Sequence, residues 1–521
     1  MASNSVAMRA AVLLASVTLL LLPLVSTPVL PFIDFYDHLA RYYVLSHLGE
    51  PVFAANYASA WQLLPNLGLD LLATPLLGAV APLTAAKVIA AFLLLVQFSG
   101  VLFLHHALWR RFDPLPSALL VGLLYSMIMT WGFTNFLLGL GLVFWNLGLW
   151  LRLRDRLPLA MAVCGLGAIV IFFCHGFAFA VYGVLLGSFE VGRWWFDHRG
   201  DWRGLIAGLG ASLAQAVIPV LLFLQMPTAA ATSTTAPTGS NSFDAVATHL
   251  SGGTLVHRLG FEIWSRLNYA FRVAYSPFAW LDYATFALVL GLVIWAWRKG
   301  IVQFHRWMVL PAAAIGVLCV IMPPTMFGVM RLSDRMPLVL AMLAIGALTV
   351  PRRDVSGARL LVLSVAAIAV VRIGALCLGW NAYARDYADF RQVVAAVPKG
   401  ALLTEVHPHA GEKLSAEPRC DMYRPLATML GGAVAPLFAF PSQQPLRLIG
   451  ALHTAQEKWP RRGPPPWGAA PGYFEGLLTL DASSRAFQYV LVCKRDRLRD
   501  GLPAGARVAA ESGNIALLKI W

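Results

Sequence analysis

The sequence predicts an all-α polytopic membrane domain followed by a small mixed α/β unit at the C-terminus. Three observations carry that expectation. Of 521 residues, 58% are hydrophobic and only 13% charged, with a mean hydropathy of +0.67, far from the averages of soluble domains. Apolar runs of roughly 17 to 23 residues, long enough to cross a hydrocarbon layer, recur as far as Gly379. The cations fall mainly in the short gaps between those runs, so the formal charge of +14 reads as a positive-inside membrane pattern rather than a nucleic-acid surface. No basic groove with interleaved aromatics is present, so nucleic acid is not an expected partner.

About eleven spans follow, near 10–31, 86–108, 115–133, 135–151, 158–174, 177–192, 204–225, 280–297, 307–323, 336–350 and 359–379. The first has no small-residue cleavage site after it and reads as a retained helix. With the N-terminus inside, every inner gap is basic: Arg110 and Arg111; Arg152, Arg154 and Arg156; Arg193, Arg199 and Arg203; Arg298, Lys299 and Arg306; Arg352, Arg353 and Arg359. Outer gaps carry far fewer cations, among them Arg41, Arg258, Arg266, Arg272, Arg331 and Arg335. The alternation supports both the span count and the orientation.

Three outward segments are long. Pro31 to Ala85 contains "WQLLPNLGLDLLATPLL" and Met226 to Leu281 contains "FEIWSRLNYAFRVAY"; both suit helices lying in the membrane interface. Ahead of the second comes a small-polar stretch, "TAAATSTTAPTGSNS", which reads as a loop. The third is the tail, 381–521, which loses hydrophobicity and gains Pro, Gly and charge. It reads as a separate extracytoplasmic domain after a transmembrane domain of 1–380. There "DYADFRQVVAAV" suits a helix and "ALLTEV", "YVLVCKR" and "NIALLKIW" suit strands, with "WPRRGPPPWGAAPG" as a loop.

Six cysteines show no zinc or redox spacing. Cys164, Cys174, Cys319 and Cys377, in or beside apolar runs, read as buried small residues. Cys420 and Cys493 lie in the tail, where they are either a disulfide or two free thiols. There is no Walker A, H-E-x-x-H or G-x-S-x-G pattern to support NTPase, zincin or serine-hydrolase chemistry. His407 and His409 in "EVHPHAGE" lack a third metal ligand.

Chemistry-bearing residues gather at the predicted outer ends. Directly after the first span, "FIDFYDHLARYY" holds Asp34, Asp37, His38 and Arg41 at i, i+3, i+4 and i+7, one stripe of a helix. Asn66 and Asp70 lie further along the same loop, Asn135 and His175 at two other outer turns, and Arg331, Asp334 and Arg335 in "VMRLSDRMP" at a third. Ionised groups are costly in hydrocarbon, so their convergence on one side marks a candidate site. A plainer arrangement also fits: Asp34 caps the helix, Asp37 pairs with Arg41, and Arg331 or Arg335 pairs with Asp334.

The acidic pair Asp34 and Asp37 in "DFYDH" just after the first span, the N-in helical core and the outward C-terminal unit resemble the GT-C superfamily. These are polytopic glycosyltransferases that use lipid-phosphate-linked sugars. The resemblance covers the chain in architecture, while the motif itself is short. It implies an Asp of the first outer loop as general base and outward Arg residues on the donor phosphate. The acceptor would be a glycan, lipid or protein, and the location a bacterial inner (plasma) membrane. Many members have a tighter acidic pair than the Asp-x-x-Asp-His found here, and some use a divalent metal, which this spacing leaves open.

General chemistry independently expects the same roles. An attacking hydroxyl needs a carboxylate, Asp34 or Asp37, and a phosphate leaving group needs fixed positive charge, Arg331 and Arg335 with help from Arg41. Two other classes compete: a transporter or flippase, which would place charges at mid-membrane and show related halves, and a non-catalytic assembly protein. An acyltransferase using His38 or His175 lacks a nucleophile.

Overall fold

The structure is a computed structural model and describes residues 2–226, 255–326, 329–351, 356–406, 422–439, 441–458, 487–493 and 506–520. Seven of its helices are long and apolar enough to cross a membrane: Val6–Ser26, Pro82–Trp109, Thr134–Leu153, Leu157–Cys174, Trp202–Gln225, Ala279–Arg298 and Ser356–Val394. Shorter apolar helices, Pro114–Leu123 and Arg306–Ile321, lie between them, as do Gly176–Asp197 and Leu332–Ala347. Pro82–Trp109 and Thr134–Leu153 pack closely because small residues face each other. A Cβ on Gly100 would stand 2.5 Å from the Gly141 carbonyl oxygen, so any side chain there would force the helices apart.

The run expected as one helix over 115–133 is instead broken in two. After Leu123 the backbone leaves the helix and bonds to another segment: Tyr275 N–H donates to Tyr125 O (2.8 Å) and Ser126 bridges Ala274. A short helix, Met127–Trp131, then restarts with the Ser126 hydroxyl accepting from Met129 N–H (3.2 Å). Non-helical backbone is tolerated at this depth because those bonds satisfy it. The break delivers Trp131 and Gly132 to the loop before the site.

At the opposite end of the bundle, charged groups are consumed by packing. Glu190, fully buried, accepts from Arg154 (2.9 Å) and from Trp150 Nε1 (2.7 Å), and Asp197 pairs with Arg306 at 2.8 Å.

The expected span at 359–379 is part of a 39-residue helix, Ser356–Val394. At 1.5 Å per residue it is about 58 Å long, against an apolar layer of about 30 Å, so its C-terminal part projects beyond the layer. The boundary expected between 380 and 381 therefore lies inside one rigid helix rather than in a linker. Against its far end sits a four-stranded sheet in the order Leu403–Val406, Tyr489–Cys493, Ile515–Lys519, Arg507–Ser512, with only the first pair parallel. Tyr489–Cys493 is buried along its length, whereas the edge strand Arg507–Ser512 alternates exposed and half-buried residues. The Ser512 hydroxyl donates to Asp389 (2.6 Å), and the Tyr423 ring stacks on Phe390 (4.6 Å).

Cys493 is disulfide-bonded, while Cys164, Cys174, Cys319 and Cys377 are free. Cys420, the small-polar stretch after Met226, His407, His409 and the "WPRRGPPPWGAAPG" loop lie outside the described residues.

Candidate functional site

Helix Phe35–Ser46 begins at Asp34, whose N–H donates to Trp131 O (3.0 Å), while Ile33 N–H donates to Thr130 O (2.9 Å). The Asp34 carboxylate makes no side-chain capping bond to this helix. Gly132 makes the close approach possible. Its φ of +82° is the left-handed region, and a Cβ there would lie 2.4 Å from Phe35 N. Gly132→Ala is expected to cost about 1–2 kcal/mol from the backbone alone, and more from the clash. It should lower the melting temperature and push Asp34 out of place, which crosslinking of a cysteine pair at 34 and 131 would read.

Asp34 and His38 open onto a cavity of about 430 Å³. His175 and Arg335 also line it, with Asn66, Asn135, Gln443 and Gln444, and the rest of the wall is largely apolar. Arg335 Nη1 lies 3.2 Å from His175 Nε2, and its guanidinium packs over the rings of Phe133 (4.4 Å) and Phe136 (4.9 Å). His175 caps helix Gly176–Asp197 through Nδ1, which accepts from Phe177 N–H (3.1 Å), fixing the ring's orientation. The charge of Asp334, and after it that of Asp34, is close enough to act on Arg335. One carboxylate and one guanidinium, brought together from positions 301 residues apart (335 − 34), thus share a pocket with mostly apolar walls.

His38 is buried, its ring meets Phe438 edge-on at 5.0 Å, and its Nδ1 has no hydrogen-bond partner among the described residues. Burial first, then the positive charge of Arg41 and the neighbouring His175, hold its pKa well below the usual 6.5. Below pH 6.5 the unfolded chain therefore binds a proton at this residue that the folded protein refuses, and stability falls with pH across that window. Melting temperature is expected to drop between pH 7 and pH 5, and His38→Gln should remove part of the drop.

The remaining predicted residues do other work. Asp37 does not line the cavity and accepts from Arg424 Nη2 (3.0 and 3.2 Å), while Arg424 Nη1 holds Glu405 at 3.1 Å. Arg41 and Asp70, both fully buried, form a two-pronged pair at 2.7 and 3.1 Å. Asn135 tightens this brace: its Oδ1 accepts from Leu69 N–H (2.7 Å) and its Nδ2 donates to Asn66 O (3.0 Å). Arg331 is not on the cavity wall. It pairs with Asp334 (2.6 Å), donates to Tyr269 (3.0 Å) and lies over the Trp131 ring (3.8 Å).

Sequence reasoning missed Phe438, Gln443 and Gln444, which the tail lays over the cavity. Strand Leu446–Leu448 pairs antiparallel with Tyr57–Ser59, and the Tyr57 hydroxyl donates to Ala435 O (2.6 Å). Gln62 Nε2 also donates to Pro441 O. Nothing local in "FAFPSQQP" signals that placement, because its partners lie in the first outer loop. Among the described residues no three His, Cys, Asp or Glu side chains converge as a metal site.

No family model matches the chain, and no curated protein matches it significantly.

Proposed function

We propose that the protein is a membrane glycosyltransferase of GT-C type. It moves a sugar from a polyprenyl-phosphate carrier to an acceptor hydroxyl on the extracytoplasmic side of a bacterial plasma membrane. In this proposal the seven long apolar helices, together with the broken segment 114–131 and the helices Gly176–Asp197, Arg306–Ile321 and Leu332–Ala347, make eleven crossings, with the N-terminus inside. The C-terminal sheet then lies outside.

The observation that carries the proposal is the pairing of Asp34 with Arg335 in one largely apolar cavity. The acceptor oxygen attacks the anomeric carbon and gives its proton to Asp34. The bond from that carbon to the phosphate oxygen breaks, its electron pair stays on the phosphate, and Arg335 stabilises the charge that develops. His175 stands beside the Arg335 fork, its Nε2 3.2 Å from Nη1. Phe172, Phe179, Val220 and Phe223 form an apolar flank suited to the carrier's tail. Asp34 takes the base role in preference to Asp37, which is turned to Arg424, and Arg335 takes the phosphate role in preference to Arg331, which is turned to Asp334.

Purified protein in liposomes carrying extracted polyprenyl-phosphate sugars should convert them to free carrier and a new glycoside. Arg335→Gln should cut that rate by roughly 10²-fold or more, the size seen when one transition-state donor is lost. Solute uptake with no covalent product in the same vesicles would refute the proposal and favour a carrier.

A further inference from the structure

His175 and Arg335 both line the cavity, and they meet there in an awkward way. Nδ1 of His175 accepts from Phe177 N–H at 3.1 Å, and a backbone N–H has no lone pair to offer in return, so Nδ1 carries no proton. Burial and the guanidinium beside it keep the ring neutral, which puts its one proton on Nε2. Arg335 is 4% exposed, and its guanidinium holds only donors. Nε2–H and Nη1–H therefore meet at 3.2 Å as two donors, and neither can bond the other.

The opposite tautomer gives no escape. With the proton on Nδ1, Arg335 could donate to Nε2, but Nδ1–H would then stand 3.1 Å from Phe177 N–H, and helix Gly176–Asp197 would lose its cap. Either way two donors are set together. The pair at Arg335 is the one a ligand can relieve, because both of its side chains line the cavity. Both are also held in place: the guanidinium packs on Phe133 and Phe136, and the imidazole meets the Phe136 ring edge-on at 5.5 Å. An oxygen about 2.9 Å from each nitrogen, an ordinary N–H···O length, closes a triangle on the 3.2 Å base. The cation of Arg335 favours an anionic oxygen there, and so does the start of helix Gly176–Asp197, whose first two residues are on the same wall.

We propose that His175 is a second donor to the carrier's phosphate: one phosphoryl oxygen lies between His175 Nε2–H and Arg335 Nη1–H and accepts from both. The imidazole acts as a neutral donor of fixed tautomer and transfers no proton, since its other nitrogen is committed to the helix cap. This assignment of the oxygen rests on the proposed function, in which Arg335 meets the carrier's phosphate. Two isosteres separate the two jobs of the ring. An Asn amide reaches as far as Nδ1, and a Gln amide as far as Nε2.

The test is titration of the full chain in nanodiscs with farnesyl phosphate, farnesol and inorganic phosphate. Wild type should bind farnesyl phosphate roughly tenfold or more tighter than either of the others. His175→Asn, which keeps the cap and loses the donor, should weaken farnesyl phosphate roughly 10- to 100-fold, the effect of one hydrogen bond to a charged group, with farnesol binding and melting temperature unchanged. His175→Gln, which keeps the donor and loses the cap, should bind within about threefold of wild type and melt lower. Weaker binding by Arg335→Gln but not by His175→Asn overturns the inference and leaves the proposed function standing. Equal weakening by His175→Asn and His175→Gln means that His175 only packs, and overturns the inference in the same way. If wild type does not prefer farnesyl phosphate to farnesol, or Arg335→Gln binds it as well as wild type does, no phosphate meets Arg335 and both readings fall. Inorganic phosphate bound as tightly as farnesyl phosphate would mark a free-anion site and overturn the inference too. Should His175→Asn fail to assemble, nitrogen-15 spectra of histidine-labelled wild type decide. The His175 signal, identified by its loss in His175→Gln, should show the proton on Nε2 and move when farnesyl phosphate binds; a proton on Nδ1 or an unmoved signal overturns the inference.

Discussion

On the proposed transferase mechanism, Asp34→Asn is expected to lower sugar transfer by about 10²- to 10⁴-fold, the range a positioned general base contributes. The bundle should assemble as before. The amide has nearly the carboxylate's shape, and the backbone bonds that hold residue 34, from its own N–H to Trp131 O and from Ile33 N–H to Thr130 O, do not involve the side chain. On the proposed mechanism the variant loses the capacity to take a proton from the acceptor hydroxyl, and with it the charge that acts on Arg335. Asp37→Asn makes the contrast: it weakens the tie to Arg424, which still has Glu405 at 3.1 Å, and so should loosen the tail over the cavity and raise KM more than it lowers kcat. Initial rates at saturating and limiting donor, with melting temperatures alongside, separate the two. Equal loss of kcat in both variants would mean that Asp34 has no special part in the chemistry.

Asp70→Asn is expected to be the most damaging single change to stability, about 3–5 kcal/mol, because it leaves Arg41 charged, fully buried and without its counter-ion. The damage should spread to the site. Asp70 lies in helix Gly68–Ala79, whose first turn is tied to Asn135, and Asn135 in turn holds Asn66 at the cavity wall. Replacing both partners, Arg41→Leu with Asp70→Leu, removes the unpaired charge and should recover most of the loss. Thermal unfolding in detergent measures each step. A cost below about 1 kcal/mol for Asp70→Asn would place the pair among weak surface-type bridges and contradict its burial.

Much of the site helix was legible from spacing alone. Asp34 and His38, four apart, do face one cavity, and the helix starts where the sequence placed it. Yet the stripe of four did not act as one wall. At 100° per residue, Asp37 and His38 point about 100° apart. One turns to the tail and the other to the cavity. Arg41, about 10 Å beyond Asp34 along the axis, reaches a different layer, where Asp70 waits. A stripe defined by i, i+3, i+4 and i+7 is wide enough to serve three neighbours, and sequence spacing does not say which.

Hydropathy, the rhythm of apolar runs and the basic gaps were enough to place long membrane-type helices, because the cost of exposing polar groups in hydrocarbon acts on every residue of a run and needs no partner. Three of the four strands of the C-terminal sheet were also visible as short apolar runs, while the edge strand Arg507–Ser512 was not expected. Only the tertiary structure decided that Arg335 rather than Arg331 enters the cavity, that Asp37 belongs to Arg424 at a separation of 387 residues, and that Phe438, Gln443 and Gln444 close the site. Those choices are ion pairs and contacts between distant segments. Their energies depend on which surfaces the packed helices bring within a few ångströms of each other, and no local pattern in the chain encodes that distance.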